Sequence, residues 1–465
     1  MEIPARYNLA ADVLSAGRER PDHPALTVLG ERDATWTHAD LLAAVERRAG
    51  GLAALGLDPG ARVMLRLGDG PDFPITFLAA AAAGLVPVPS AAALTAPEAA
   101  SLAARLAPAL AVGDGPALPP GVPAAHPRDL DGAALPIADW PRGDPERLGY
   151  VVFTSGSGGR PKAVAHAHRA VRARRSMWDG WYGLTPEDRL LHAGAMNWTF
   201  TLGTGLLDPW AIGATALVPA PGTPPEALPA LMARGRATIL AAVPGVYRRL
   251  LRTALPPLPS LRHGLSAGEA LSPAIRAGWE AATGTALHEA LGMSECSTFV
   301  SGSPARPAAE GFAGHPQAGR RVAVRDGRLM VGRGDPGLML GYWEDGAVAP
   351  VAEWFDTGDR VEEGPDGAIR HLGRADDLLN PGGFRVSPQE VEAALAGVAE
   401  DLAVGVETTA SGATVLACYH VGPLDEARRD AALAGLAAYK RPKLWLRRER
   451  LPRNPNGKLM RRALA

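Results

Sequence analysis

The segment "TSGSGGRPKAV", from Thr154 to Val164, combines hydroxyl side chains, glycines and a lysine in a way that suits phosphate binding. Hydroxyls and flexible backbone amides donate hydrogen bonds to phosphate oxygens, and glycine lets the backbone approach them closely. Lys162 adds a positive charge. The segment is not a Walker A loop, because Pro161 precedes the lysine and Ala163 follows it. The alternative is a Gly/Ser-rich surface turn.

Lysine is rare in this chain, which otherwise uses arginine for its basic residues. Its four lysines are Lys162, Lys440, Lys443 and Lys458. A chain that uses arginine at almost every basic position could keep lysine where a compact, mobile ammonium is needed. In "NPNGK", Lys458 follows an Asn–Gly turn that would present it at the tip of a loop. The alternative explanation is that these four lysines remain by chance.

Two carboxylates stand in glycine-containing turns. Glu295 in "LGMSECSTF" could bind Mg²⁺ through one oxygen when substrate phosphates supply other ligands. Asp359 in "WFDTGDR" could accept both hydroxyls of a ribose. The alternatives are a solvated loop glutamate and an ordinary β-turn aspartate.

Ser266 lies in "GLSAG", which formally matches the nucleophile elbow G-x-S-x-G of serine hydrolases. Such an elbow follows a buried strand, and the preceding "PPLPSLRH" is a poor candidate for one. The match therefore favours hydrolysis only weakly.

The elements that must position these residues alternate between helix and strand through the first two thirds of the chain, which predicts an α/β fold with mostly parallel strands. Thr37 is predicted to cap the helix in "TWTHADLLAAVERRAGGLAAL", with Asp40 completing a capping box. The Pro- and Gly-rich stretch 113–127 is predicted to be a surface excursion. Near Asp377 the pattern changes to that of a small α+β domain.

Composition excludes several classes of protein. The net charge of -1 argues against a nucleic-acid binder that works by bulk charge. Two cysteines, Cys296 and Cys418, cannot form a disulfide framework and predict reduced thiols in a cytoplasmic protein. The apolar stretch 75–88 is too short and interrupted to span a membrane, and the N-terminus does not resemble a signal peptide.

Taken together and in order, the motifs "TSGSGGRPKAV", "GMSE", "TGD", "GRADD" and "NGK" resemble those of the acyl-adenylate-forming superfamily. This superfamily includes acyl- and aryl-CoA synthetases, peptide-synthetase adenylation domains and luciferases. The resemblance runs from about Ala34 to the C-terminus and is closest to the benzoate–CoA ligase branch. It implies a large N-terminal domain of layered α/β subdomains and a small mobile α+β C-terminal domain.

The resemblance also implies roles for individual residues. The catalytic residues would be Lys458, Glu295 and Lys162, with Glu295 the ligand of Mg²⁺. The ATP-binding residues would be Thr154, Ser155, Gly156, Ser157, Gly158, Gly159, Lys162, Gly268, Glu269, Ala270, Leu291, Gly292, Met293, Ser294, Asp359 and Arg374. The chain departs from the family where Gly158 replaces a hydroxyl residue and where Leu291 replaces an aromatic platform for adenine.

The domain boundaries follow from the same resemblance. The adenylation domain would span 1–373, the hinge 374–376 with Asp376 at its pivot, and the mobile domain 377–465. Rotation there would withdraw Lys458 and bring a coenzyme A-binding segment to the site, for which the residues would be Gly382, Gly383 and Arg385.

The acid pocket is expected around "HAGAMNWTFTLGTGLLDPW". Its predicted lining residues are Trp198, Phe200, Leu202, Gly203, Ala241 and Ala267. Gly203 and Gly205 are expected to leave room for a flat or short acyl group, so an aromatic or short-to-medium apolar acid is predicted. Trp198 and Phe200 could equally be ordinary core residues.

Four functions remain open at this point. The first is an ATP- and Mg²⁺-dependent acid–CoA ligase acting as a monomer or homodimer, without nucleic-acid or membrane partners. The second transfers the acyl group to a carrier-protein thiol. The third is a serine hydrolase that uses Ser266, and the fourth is a nucleotide-binding protein without catalysis.

Overall fold

The computed structural model describes most of the chain. The described residues are 2–113, 118–154, 161–375, 379, 381, 386–409, 414–454 and 457–464.

Helices cover the faces of the sheets. In the described ranges the α-helices are α1 Leu9–Leu14, α2 His38–Ala54, α3 Asp72–Ala82, α4 Ala96–Leu106, α5 Arg169–Ala173, α6 Asp208–Ile212, α7 Leu228–Arg234, α8 Pro244–Leu250, α9 Pro273–Thr283, α10 Pro388–Ala394 and α11 Glu426–Ala434. Short 3₁₀ segments are Ala16–Glu19, Pro127–Leu130, Ile137–Asp139, Pro225–Ala227, Ala438–Lys440 and Arg461–Ala463. Two π-helical segments are Trp178–Tyr182 and Thr201–Leu207.

The strands form five sheets in the part of the chain that the structure describes. They are β1 Pro24–Leu29, β2 Ala34–Thr37, β3 Arg62–Arg66, β4 Val86–Pro89, β5 Leu110–Gly113, β6 Ala124–Ala125, β7 Leu148–Thr154, β8 Lys162–Ala167, β9 Arg189–His192, β10 Thr215–Pro219, β11 Ile239–Ala242, β12 His263–Ala267, β13 Ala286–Met293, β14 Ser297–Ser301, β15 His315–Pro316, β16 Val322–Arg325, β17 Arg328–Gly332, β18 Gly341–Glu344, β19 Ala347–Pro350, β20 Trp354–Glu363, β21 Ile369–Arg374, β22 Asp401–Thr408, β23 Thr414–Val421 and β24 Leu444–Arg447.

The largest sheet has nine strands in the order β15-β14-β13-β12-β11-β9-β10-β1-β2. Pairing is parallel from β13 to β1 and antiparallel toward both edges. The carboxyl ends of β9, β11, β12 and β13 therefore meet along one edge, which is where ligands bind in open parallel sheets. This arrangement brings together the predicted site segments that follow these four strands.

Four smaller sheets complete the fold. The sheet β4-β3-β5-β6 is parallel, and the sheets β19-β18-β8-β7 and β16-β17-β20-β21 are antiparallel. The C-terminal sheet β22-β23-β24 has a core of its own, made by Val386, Val391, Leu395, Val398, Val404, Leu416, Cys418 and Leu436. The predicted domain boundary at 374–376 stays a prediction.

Local sequence signals account for many of these elements. The predicted capping box is confirmed: Thr37 Oγ1 accepts from the Asp40 amide at 3.1 Å, and the Asp40 carboxylate accepts from the Thr37 amide at 3.0 Å. One expectation was wrong in detail. The stretch 113–127 is not only a surface excursion, because Ala124–Ala125 extends the parallel sheet next to β5.

The segment "PPLPSLRH" is not a buried strand, as expected, since only its last residue belongs to one. Residues His263–Ala267 form β12, a buried central strand that pairs with β11 on one side and β13 on the other.

Among the described residues, no helix is both long enough and apolar enough to cross a lipid bilayer.

Candidate active site

The predicted phosphate-binding loop is anchored by a pair of antiparallel strands. Thr154 ends β7, Lys162 begins β8, and the two residues face each other in the ladder. Arg105 Nη1 donates to the carbonyl of Pro161 at 2.5 Å and holds the far end of the loop. Six residues of the loop lie outside the described part of the chain; they are Ser155, Gly156, Ser157, Gly158, Gly159 and Arg160.

Lys162 and Glu295 are linked through the side chain of Tyr342. The Lys162 ammonium lies 4.7 Å from the centre of the Tyr342 ring, and the Tyr342 hydroxyl donates to Glu295 Oε1 at 2.9 Å. Burial, and next the Glu295 carboxylate, raise the pKa of the Tyr342 phenol, so it keeps its proton and remains a donor. Glu295 is buried rather than solvated, with 7% of its surface exposed.

Tyr342 was missed by sequence reasoning. It reaches the site because β18 pairs with β8, which places Tyr342 opposite Val164, two residues after Lys162. The pairing joins residues far apart in the chain, and "GYW" carries no signal that would have identified it.

The Glu295 carboxylate suits a hard divalent cation. Within the described residues, no group of three or more His, Cys, Asp or Glu side chains is placed to hold a metal ion. Mg²⁺ is typically bound by one or two carboxylates together with substrate phosphates. The buried carboxylate of Glu295, close to Lys162 of the phosphate loop, is therefore a suitable ligand for the predicted Mg²⁺.

The end of β13 and the residue after it are the four residues predicted to contact the nucleotide. They are Leu291, Gly292, Met293 and Ser294, and all four are partly exposed. His166 Nε2 donates to the Ser294 carbonyl at 2.7 Å. A Cβ on Gly292 would lie 2.7 Å from the Ser297 carbonyl oxygen, so a larger residue there would push β14 away.

The segment after β12 carries Gly268, Glu269 and Ala270. Gly268 has φ +92°, and a Cβ on it would lie 3.1 Å from the indole of Trp198. Glycine is therefore favoured by conformation and by the closeness of the aromatic ring. This contact joins the predicted nucleotide segment to the predicted acid pocket.

Asp359 was expected in a glycine-containing turn, but it lies inside strand β20, where it is 5% exposed. Asp359 is paired with Arg374 across strands β20 and β21, and Arg374 Nη1 lies 3.6 Å from Asp359 Oδ1. His371 Nε2 lies 3.2 Å from the same oxygen. The carboxylate is held in place by these neighbours, and His371 was not identified from the sequence.

The Lys458 turn is docked onto the N-terminal part of the chain. Glu269 accepts from Arg453 Nη1 at 3.3 Å and from the Leu459 amide at 2.8 Å. Arg453 also bonds Asp401 at 3.1 Å. Because these bonds lie on both sides of Lys458, they fix the turn against the nucleotide segment.

Hydrogen bonds between Asn454 and the described residues 457 and 458 bracket the predicted turn. The Gly457 amide donates to the Asn454 carbonyl at 2.8 Å, and Gly457 has φ +81°. The Lys458 amide donates to Asn454 Oδ1 at 2.9 Å, and the Lys458 side chain is exposed. The Lys458 backbone is thus held by hydrogen bonds while its side chain is exposed.

The predicted acid-pocket residues divide into two groups. Trp198, Phe200, Ala241 and Ala267 pack in one hydrophobic cluster, and the Trp198 and Phe200 rings meet edge to face at 5.3 Å. Leu202 belongs to a different cluster.

The expectation for the two glycines was wrong. A Cβ on Gly203 would collide with the Arg174 guanidinium, and one on Gly205 would lie 2.7 Å from His192 Cβ. These glycines leave room for Arg174 and His192 rather than for an acyl group.

Ser266 does not form a nucleophile elbow. It lies within β12, its surface is fully buried, and its hydroxyl has no hydrogen-bond partner among the described residues. A hydrolase serine needs an exposed position on a strand-to-helix turn and a base beside it. The serine-hydrolase hypothesis is therefore not supported.

The remaining predicted residues lie outside the described residues. They are Asp376 of the hinge and Gly382, Gly383 and Arg385 of the coenzyme A segment.

Comparison with known proteins identifies the family. A family model described as AMP-binding enzyme matches residues 14–343. The chain is 34% identical over 350 residues to 3-hydroxybenzoate--CoA/4-hydroxybenzoate--CoA ligase of Thauera aromatica, over 68% of this chain and 66% of the relative, just under two thirds of its length. It is 30% identical over 439 residues to benzoate--CoA ligase of the same organism, over 85% and 82% of the two chains.

Solved structures show the same fold. ATP-bound MatB from Rhodopseudomonas palustris matches with a TM-score of 0.86 and 26% identity, over 98% of both chains. The anthranilate CoA ligase AuaEII in complex with anthranoyl-AMP matches with a TM-score of 0.87 and 24% identity, over 100% of this chain and 98% of that one. The predicted fold class and the resemblance drawn from the motifs are confirmed.

Proposed function

Since the chain belongs to the AMP-binding enzyme family, we propose that it is an ATP-dependent ligase that joins an aromatic carboxylic acid to coenzyme A. The carboxylate oxygen attacks the α-phosphorus of ATP, the bond to the β-phosphate oxygen breaks, and pyrophosphate leaves. The thiol of coenzyme A then attacks the acyl carbonyl, loses its proton, and AMP leaves. The similar benzoate and hydroxybenzoate ligases support this class of reaction and of acid.

One observation carries the proposal: the linked side chains of Lys162, Tyr342 and Glu295 at one end of the site, with the Lys458 turn docked on Glu269 at the other. Nucleotidyl transfer needs positioning and charge stabilisation more than covalent help. Lys162 would hold the outer phosphates, and Lys458 would stabilise charge between the carboxylate and the α-phosphate. Bound Mg²⁺ would neutralise phosphate charge beside Glu295.

The remaining assignments are part of the same proposal. Asp359 and Arg374 would bind the ribose, and the segments that contain Gly268 and Leu291 would line the adenine. Asp376 would be the hinge about which the C-terminal domain turns, and the segment of Gly382, Gly383 and Arg385 would bind coenzyme A in the second step.

A product assay tests the function directly. The chain is incubated with ATP, MgCl₂, coenzyme A and a panel of aryl, branched and linear acids, and AMP and acyl-CoA are separated by chromatography. Acid-dependent AMP release matched by aryl-CoA supports the proposal. Release that needs a phosphopantetheinylated carrier protein in place of coenzyme A identifies carrier loading instead. ATP binding without acid-dependent pyrophosphate exchange contradicts both.

Replacing Tyr342 with phenylalanine is expected to raise the Mg²⁺ concentration for half-maximal activity about 10- to 100-fold, because a group that orients a metal ligand contributes about that factor to affinity. The ring that carries the Lys162 ammonium is retained, but Glu295 loses its hydrogen bond. Initial rates at fixed ATP and varied free Mg²⁺ measure the effect.

The matched control is Tyr419→Phe, which removes another phenol–carboxylate bond, to Glu407 at 2.8 Å, in the C-terminal sheet. It should leave the Mg²⁺ dependence unchanged. An unchanged Mg²⁺ requirement in Tyr342→Phe would show that this hydroxyl does not orient the metal ligand.

A further inference from the structure

His192 is a buried histidine whose polar atoms are not satisfied. It is 1% exposed, and neither Nδ1 nor Nε2 has a hydrogen-bond partner within the described residues. Burial lowers its pKa to about 3, so the ring is neutral and offers one N–H donor and one nitrogen acceptor. Buried polar groups are almost always paired, so an unpaired ring of this kind calls for an explanation.

The strand register places His192 on the face of the sheet that carries the acid pocket. His192 is paired with Ala241, which is in turn paired with Leu265. Paired residues of parallel strands share a face, and residues two apart on one strand share it as well. His192, Ala241 and Ala267 therefore share one face. Phe200 meets the His192 ring edge to face at 4.5 Å.

A second unsatisfied polar group lies close by. The Thr201 hydroxyl is buried and has no hydrogen-bond partner in the described ranges. A Cβ on Gly194 would lie 2.5 Å from Thr201 Oγ1 and 3.1 Å from His192 Cε1. The two unpaired groups therefore both lie against Gly194 and close to each other. Gly205 leaves the imidazole just enough room in this position, since a Cβ there would lie 2.7 Å from His192 Cβ.

We infer that His192 and Thr201 bind a hydroxyl group on the aromatic ring of the acid, so that the substrate is a ring-hydroxylated aryl acid; this inference rests on the proposed function. A phenolic hydroxyl both donates and accepts one hydrogen bond, which complements a neutral imidazole and a threonine hydroxyl. A charged substituent is disfavoured, because a neutral ring at this depth offers no compensating charge.

The consequence for specificity is that the enzyme should strongly prefer a hydroxylated aryl acid over the same acid without the hydroxyl. A site built to bond a substrate hydroxyl rejects the analogue that lacks it, since the polar groups of the site are then left unpaired. An apolar pocket of the same size discriminates only weakly.

The experiment compares kcat/KM for benzoate and the three hydroxybenzoate isomers in the wild-type enzyme and in His192→Leu. The best isomer is expected to exceed benzoate by at least about 10²-fold in the wild type. In His192→Leu the ratio should fall to within about 10-fold of unity, with kcat/KM for benzoate retained. Thr201→Val replaces only the hydroxyl and should also lower the ratio of hydroxybenzoate to benzoate kcat/KM. If His192→Leu does not fold, Thr201→Val tests the inference in its place.

His263→Leu is the matched control. It removes another buried histidine of the same sheet, but one whose Nε2 is already paired with the Tyr182 carbonyl at 2.7 Å. It should lower thermal stability and leave the substrate ratio unchanged.

Two outcomes overturn the inference alone. In the first, the wild type uses benzoate as well as every hydroxybenzoate, which points to a water molecule as the partner of His192 and Thr201. In the second, folded His192→Leu or Thr201→Val loses both substrates in parallel, which indicates a structural role. Absence of AMP release with every aryl acid would instead overturn the proposed function and this inference with it.

Discussion

Replacing Lys458 with alanine is expected to slow acyl-adenylate formation about 10²–10³-fold, the usual cost of losing one positioned group that stabilises transition-state charge. Thioester formation from supplied acyl-adenylate should change little. The reason is that pyrophosphate departs in the first step only, and that the proposed rotation about the hinge withdraws Lys458 from the site before the second step. The exposed ammonium of Lys458, carried on a turn fixed by Asn454 and Gly457, can be delivered to that charge.

Two assays separate the steps. Acid-dependent pyrophosphate exchange reports adenylation, and AMP release from synthetic aryl-adenylate with coenzyme A reports the second step. Lys443→Ala is the matched control, because Lys443 is an exposed lysine of the same C-terminal region. Equal losses in both half-reactions of Lys458→Ala would contradict the role assigned to this lysine.

The contacts that hold the Lys458 turn can be tested with the same two assays, with a smaller expected effect. Arg453 joins Glu269 to Asp401 and so holds the Lys458 turn in place. Losing hydrogen bonds to charged groups corresponds to roughly a tenfold loss in rate. Arg453→Ala should therefore impair adenylation by about this factor and leave the second half-reaction unchanged. A larger effect on thioester formation would show that this docked arrangement serves the second step instead.

Replacing Arg174 with methionine is expected to lower the free energy of unfolding by about 3–5 kcal/mol, the cost of leaving a buried charge unpaired. Arg174 and Asp208 side chains are 7% and 3% exposed, and the guanidinium bonds the carboxylate at 2.7 Å and 3.0 Å. The Tyr182 hydroxyl donates to the same carboxylate at 2.7 Å. Without Arg174, this network would hold an uncompensated carboxylate.

The position of this pair adds to its effect. Arg174 packs against Gly203 and bonds Thr204 at 3.2 Å, so it supports the π-helical segment Thr201–Leu207 beside the acid pocket. Urea unfolding followed by tryptophan fluorescence measures the change in stability. A loss of aryl-acid turnover is expected to accompany it.

Two further variants make the result interpretable. The double variant Arg174→Met/Asp208→Leu removes both charges and should be less destabilised than Arg174→Met alone. Arg234→Met breaks an exposed pair with Asp33, whose side chains are 46% and 34% exposed, and should cost no more than about 1 kcal/mol. If the double variant were the least stable of the three, packing rather than an unpaired charge would explain the loss.

Much of the chemistry was predictable from the sequence because it depends on short segments. The Asn–Gly turn before Lys458, the capping box at Thr37 and the hydroxyl-rich loop after Thr154 are each complete within a few residues. The residue types in each segment indicate its chemistry, and the order of the segments along the chain identified the family. The boundaries of β12 and the strand position of Asp359 were harder, because neighbouring strands decide them.

The sequence by itself therefore determined which chemical groups the chain brings to its site, and only the tertiary structure decided which of them meet. Tyr342 reaches Lys162 and Glu295 because β18 pairs with β8 in one register. His192 shares a face with Ala241 because β9 and β11 are aligned as they are. Shifting a strand by one residue turns every side chain to the opposite face, and this register is set by packing between segments far apart in the chain.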